Sequence, residues 1–394
     1  SLFLTCNFLT MKKTFKFFVF FFIAINLFIL ISGKSWVYRA IYSTYLQGHT
    51  SAHIDDHVFF YSNEIKKGSP QKWNLSLSYN APKLNKSFEK TLKEYNTTAF
   101  LVVKDDSIRF EKYWNGYSSK KLSNSFSVTK SIVGLLVGVA IKEKKIKSIN
   151  DKVCDYLPEF CEKERSKISI KHLITMSSGL NWSENYYNPL GQTAEAYYGN
   201  DLKELMFGLE PIEEPGVTFR YHSSCSQILT YVIESAVGMS INQYASLKLW
   251  KKIGCMHSAI WSLDKKNGDE KGFCCINSNA RDLARIGKLY LNHGFWNDQN
   301  LVDSAFIINA TSSNALLNVD GSPNKNYGYH LWIAKYKNLN VFYAKGFCGQ
   351  YIIWAPQKKL IIVRLGSKES DEKINGHHVD FYKYLDVGLA ITEK

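Results

Sequence analysis

"NSFSVTKSIVGLLVGVA", residues 124–140, places Ser127 and Lys130 three residues apart at the mouth of an almost wholly apolar run. From Ile132 to Ile141 the apolar positions wrap all the way round, with Gly134 and Gly138 one turn apart, the pattern of a helix buried on every side. Positions i and i+3 share a helix face, so the Ser127 hydroxyl and the Lys130 amine can meet if Ser127 opens the first turn. A serine hydroxyl becomes a useful nucleophile only when a neighbouring base takes its proton. Lysine serves as that base once burial and nearby positive charge lower its pKa from ~10.4. The free N–H groups of a helix start favour a developing anion at the same place. A second reading stays open on this stretch alone, because serine is also a common helix cap. Ser69, Ser87, Ser118, Ser262, Ser322 and Ser370 are followed by lysine at the same spacing, though Ser127 has by far the strongest buried-helix context.

Working outward, "TTAFLVVKDDSIRFEKYWNGYS" upstream gives two β-rich runs around a "KDD" turn, a hairpin signal. Downstream, residues of about 150–320 read as helix and loop, as in "CSQILTYVIESAVG" and "NARDLARIGKLYLNHG". Three strand-like runs follow, "YGYHLWIAKY", "LNVFYAKGF" and "GQYIIWAPQKKLIIVRLG", and "FYKYLDVGLAITEK" closes the chain as a helix. This order predicts an α+β fold: an antiparallel sheet built from both ends of the chain, flanked by helices and carrying an all-helical insertion. Residues 34–95 read as an irregular connector, rich in turn formers, and compact structure is expected over 96–394.

The chain of 394 residues with 45% apolar content is long enough to bury a large core. Its formal charge of +14 rests on 49 basic residues, only seven of them arginine and all scattered. A nucleic-acid footprint clusters on one face, so none is expected. Residues 1–33 form an N-terminal hydrophobic anchor or signal segment. Met11 is followed by Lys12, Lys13 and Lys16 and then by an apolar run ending near Gly33. No small-x-small cleavage site follows cleanly, so the reading is an uncleaved anchor through residues 16–33 in the cytoplasmic membrane, with the rest exported to the periplasmic side. Eight cysteines permit disulfides in that compartment. Cys154 and Cys161 are the plausible pair, whereas the adjacent Cys274 and Cys275 are expected not to pair. No Cys/His spacing suits zinc, so neither metal nor cofactor is expected.

Two further stretches bear on Ser127. "EEPGVTFRYHSSCSQILTYVIE" sets Tyr221 and Ser223 in a loop leading into a helix, and "YAKGFCGQYIIWAP" sets a glycine-bracketed segment on a late strand. Together with Ser-x-x-Lys, "HLITMSSGL" and "NARDLARIGKLYLNHG", these make residues 96–390 resemble the serine β-lactamase and penicillin-binding-protein superfamily. The resemblance is to its class C-like branch, and within that to 6-aminohexanoate-dimer hydrolases and related esterases. It implies that Ser127 attacks a carbonyl, Lys130 accepts its proton, and Tyr221 relays a proton to the leaving group, with its own pKa lowered by the ammonium nearby. It further implies an oxyanion hole from the backbone N–H groups of Ser127 and Phe347.

The family's late-strand motif falls on Ala344, Lys345 and Gly346, so the usual cation position holds alanine. Lys345, one residue along the strand, is expected on the opposite face. Ser223 stands where asparagine is common, and Tyr186 resembles a substrate-contacting tyrosine of the 6-aminohexanoate branch; Ser223, Tyr186 and Gly346 are thus the candidate substrate contacts. The expectation is a serine hydrolase acting on a small amide or ester through an acyl-serine. A β-lactamase or D-peptidase, and a non-hydrolytic penicillin-binding sensor, remain as alternatives, and the oligomeric state is open.

Overall fold

A computed structural model describes residues 2–393. Its centre is a seven-stranded sheet in the order 332–336, 339–346, 350–355, 360–366, 97–104, 107–113 and 74–75. Every pairing is antiparallel except that of Asn74–Leu75 with Ser107–Ile108 at the edge. The "KDD" stretch makes the predicted hairpin. Asp105 and Asp106 take φ of 48° and 61°, the two successive positive values of a two-residue hairpin turn.

Alternation along the strands sends side chains to two cores. On one face Phe100, Val102, Ile353 and Ile362 meet the closing helix, Val379–Thr392, and the Lys86–Glu94 helix. On the other Leu101, Ile352, Trp354 and Val363 meet the helical side of the molecule. The quoted stretch is the central helix of that side, Val128–Lys142, buried from Val128 through Ala140. Gly138 is a point of close approach: a Cβ there would lie 2.7 Å from Val302 and 2.8 Å from Phe306.

The region of 150–320 is not all helical. Strands Ala259–Ser262 and Ile276–Ser278 join Ser62–Ile65 and Ser123–Asn124 in a second, four-stranded sheet. Nor is 34–95 irregular throughout, since it contains helices Trp36–Ser43 and Lys86–Glu94 and two strands. These strands are two to four residues long, too short for an alternating pattern to register in sequence. Cys154 and Cys161 are bridged as expected. Cys274 and Cys275 are bridged as well, against expectation; Cys275 adopts a left-handed φ of 76°, a local backbone conformation that the residue order does not announce.

Candidate active site

Ser127 sits where the second sheet hands the chain to the central helix. Just before it Phe126 has φ of 46°, a strained value for a bulky side chain. Two features hold the turn: the Asn124 side-chain oxygen accepts from the Phe126 N–H (2.9 Å), and the Asn124 amide donates to the Tyr197 hydroxyl (3.1 Å). The Phe126 ring also packs against Tyr197 and Phe347. Ser127 is the residue before the helix, yet its side chain makes no capping bond. Its Oγ lies 2.9 Å from the Lys130 Nζ instead, so the side chain is not spent on capping.

Lys130 is 1% exposed. Its Nζ also donates to the Ser223 Oγ (3.1 Å) and the Phe273 carbonyl (2.8 Å). Burial lowers its pKa to about 8, with Glu184 and Cys225 pulling the other way. A primary amine that is neutral in a good fraction of molecules near pH 8, in contact with a hydroxyl, can act as a general base.

The Tyr221 side chain lies near Ser127, which favours its ionised form. Its ring lies 5.1 Å from the Lys130 Nζ and stacks on Trp332 at 5.6 Å. Its pKa does not fall, as the resemblance implied, but rises: burial dominates, Glu184 and Glu369 add to it, and only the neighbouring Ser127 opposes them. Tyr221 therefore presents a protonated phenol, a donor rather than a base.

Glu184 is the group that sequence reasoning missed. Its carboxylate accepts from the Ser223 N–H (2.7 Å), the Ser223 Oγ (2.6 Å), the Trp182 indole (2.6 Å) and the Tyr186 hydroxyl. Ser223 opens the helix Ser223–Val237, so its N–H is one of the donors a helix start leaves unpaired, and a carboxylate is the natural partner. The Ser223 hydroxyl thus links Lys130 to Glu184. Position 223, where asparagine is common in the resembling family, was the available signal; a carboxylate two residues before Tyr186 carries none by itself.

Tyr186 is 53% exposed, while its hydroxyl donates to Glu184. The ring stacks on Phe347 at 5.8 Å. Gly346 is held close to the nucleophile turn, where a Cβ would fall 2.1 Å from the Ser125 carbonyl oxygen. Ala344 is buried in the core that holds the central helix. Lys345 is paired instead with Glu369 at 2.6 Å, so it does not replace the missing cation as a free charge. A cavity of about 840 Å3 opens beside Tyr221, lined also by Glu184, Trp182, Phe219, Ile212 and Val319. Among the described residues no three His, Cys, Asp or Glu side chains gather so as to hold a metal ion.

The chain can be set beside known proteins. It is 26% identical over 320 residues to a 6-aminohexanoate-dimer hydrolase of Paenarthrobacter ureafaciens, covering 77% of this chain and 81% of the relative. Among solved structures, a Bacillus anthracis protein provisionally assigned as a 6-aminohexanoate-dimer hydrolase superposes with a TM-score of 0.75 at 20% identity, over 86% of this chain and 94% of the other. A family VIII carboxylesterase superposes with a TM-score of 0.61 at 16% identity, over 79% and 99% of the two chains. The family model described as beta-lactamase matches residues 85–381, the span that holds the serine, the buried lysine and the phenol, and the chain belongs to that family as one of its serine hydrolases.

Proposed function

We propose that the protein cleaves an amide or ester bond through an acyl-serine, with Ser127 as nucleophile, Lys130 as base and Tyr221 as acid. The observation that carries this reading is the buried, pKa-lowered Lys130 amine 2.9 Å from the Ser127 hydroxyl. The neutral amine takes the hydroxyl proton as Oγ bonds to the carbonyl carbon, and the resulting oxyanion faces the N–H groups of Ser127 and Phe347. The bond to the leaving atom then breaks. That atom receives the Tyr221 proton, and the Lys130 ammonium restores the proton to the phenol. Water, activated by the same pair, hydrolyses the acyl-serine.

Substrate choice follows from the late strand. β-Lactams and D-peptides present a carboxylate, and a charge-assisted hydrogen bond to it contributes ~1.5–3 kcal/mol. Ala344 offers no such bond and Lys345 is engaged by Glu369. The reading is therefore a hydrolase of short acyl esters or linear aliphatic amides, like the hydrolase of P. ureafaciens by name. The helix segment Lys13–Ile31 is long and apolar enough to cross a membrane, and we read it as an anchor for an exported domain. The deciding experiment compares kcat/KM for a short p-nitrophenyl ester, a linear amide dimer and a chromogenic cephalosporin. A preference for the cephalosporin would overturn the substrate reading, and the absence of repeated turnover on all three would leave a binding protein.

A further inference from the structure

The loop that carries Tyr186 is tied to the membrane helix. The Lys34 ammonium, three residues beyond the end of that helix at Ile31, donates to the Leu190 carbonyl at 3.3 Å. The Trp36–Ser43 helix that follows packs against the helix Gln192–Tyr198, which continues directly from the loop. Arg39 adds a bond to the Gly199 carbonyl at 3.4 Å, just past that second helix. The chain's exit from the apolar segment and the rim of the active site are therefore neighbours.

Large apolar side chains are exposed on both sides of this junction, among polar ones such as Asn185 and Asn188. On the loop, Tyr187 is 90% and Leu190 45% exposed; on the linker, Tyr42 is 56% and Leu46 69% exposed. The segment Lys13–Ile31, with which they are continuous, is wholly unburied. Left in water, exposed apolar side chains on neighbouring segments are costly, and tyrosines and asparagines beside an apolar span suit the boundary between bilayer and water. The remote side of the molecule is different: the Lys86–Glu94 helix behind the main sheet presents lysines. The same loop also has an inner side, where Tyr186 stacks on Phe347 beside Phe126 and Ser127. The cavity next to Tyr221 has a mixed rim, with Ile212 and Val319 exposed beside Asp320 and the Glu213–Arg220 ion pair.

We propose that the mouth of the active site faces the lipid surface in which the N-terminal helix sits, and that the enzyme draws from that surface acyl esters or amides of amphiphiles. The proposal rests on the serine-hydrolase reading and specifies where its substrate comes from. An amphiphile held at the interface with its acyl linkage at headgroup depth would reach Ser127 past Tyr186 without dissolving in water.

The test uses the full chain in proteoliposomes of phosphatidylethanolamine and phosphatidylglycerol, in a Cys6→Ser background; Cys225, Cys255 and Cys348 are buried. A bimane label is placed at Tyr187→Cys, Leu190→Cys, Leu46→Cys or Lys90→Cys, and brominated lipids serve as quencher. The expected result is that labels at 187 and 190 are quenched like that at 46, while the label at 90 is not. In parallel, a long-chain p-nitrophenyl ester dissolved in the bilayer is compared with a short soluble one. Tyr187→Glu with Leu190→Glu should lower the ratio of long-chain to short-chain turnover roughly tenfold, as two charges lift the mouth from the surface. Unquenched labels at 187 and 190 overturn the proposal, and if cross-linking then joins two chains there, the patch belongs to a second copy. Quenching with an unchanged ratio overturns it as well. Failure of the hydrolase reading is distinct: short-ester turnover would then be absent from the unsubstituted chain or survive Ser127→Ala, while quenching at 187 and 190 still decides which way the mouth faces.

Discussion

At the scale of single residues the site turns on one lysine whose pKa burial lowers to about 8 and one phenol whose pKa burial raises. Catalysis needs the unprotonated Lys130, so kcat/KM for a short ester should climb as pH rises and level off above about 8, the value to which burial lowers this amine. The raised phenol of Tyr221 keeps its proton over the same range, so no alkaline loss is expected from it. Glu184 favours the charged lysine, and Glu184→Gln should therefore move the rising limb to lower pH while Tyr186 and Ser223 keep a hydrogen-bond acceptor. A pH–rate profile of the two proteins checks both statements, and an unmoved limb would separate Glu184 from Lys130. Ser127→Ala and Lys130→Ala should each abolish turnover, by factors of about a thousand or more, since members of such a unit fail together; steady-state kinetics with a circular-dichroism control reads this. What sequence showed here was the chemistry of the types and their spacing. The direction of the Tyr221 shift was not legible, because it depends on burial and on Glu184 and Glu369, groups brought close only by folding.

At the scale of elements, the legible parts were those with a long period: the buried central helix, the hairpin at "KDD", the late strands and the closing helix. The four-stranded sheet escaped because its members are two to four residues long and come from four separate places in the chain. It matters to the site, since one of its strands, Ser123–Asn124, leads straight into the turn before Ser127. Two glycines separate the structural from the functional demands on these elements. A methyl at Gly138 would collide with the Val302 and Phe306 side chains, an overpacking that typically costs ~1–3 kcal/mol. Gly138→Ala should lower the melting temperature and leave kcat at permissive temperature close to normal. A methyl at Gly346 would press on the Ser125 backbone oxygen and push the strand end, with Phe347 just beyond it, away from the nucleophile. Gly346→Ala should therefore lower kcat more than it raises KM, because a displaced N–H is lost chiefly to the transition state. Thermal melts and Michaelis–Menten parameters of the two variants distinguish these outcomes.

At the scale of the whole molecule, the folded unit begins well before residue 85, where the family match starts. Ser62–Ile65 pairs residue for residue with Ala259–Ser262. The Ile54 carbonyl accepts from the Asn124 N–H at 2.8 Å, and the Tyr197 hydroxyl donates to Asp56 at 2.8 Å. Asn124 and Tyr197 are the residues that brace Phe126, so the N-terminal segment supports the nucleophile turn from behind. Removing it would leave a strand edge unpaired and strip Tyr197 of its buried acceptor, and unpaired buried polar groups cost ~1–3 kcal/mol each. A chain cut to residues 85–394 should accordingly melt several degrees lower or without a cooperative transition, and lose most esterase activity. One that keeps residues 34–394 should retain both. Heat melts and ester turnover of the two lengths decide the matter; equal stability and activity would mean that residues 34–84 merely lie against a domain complete without them.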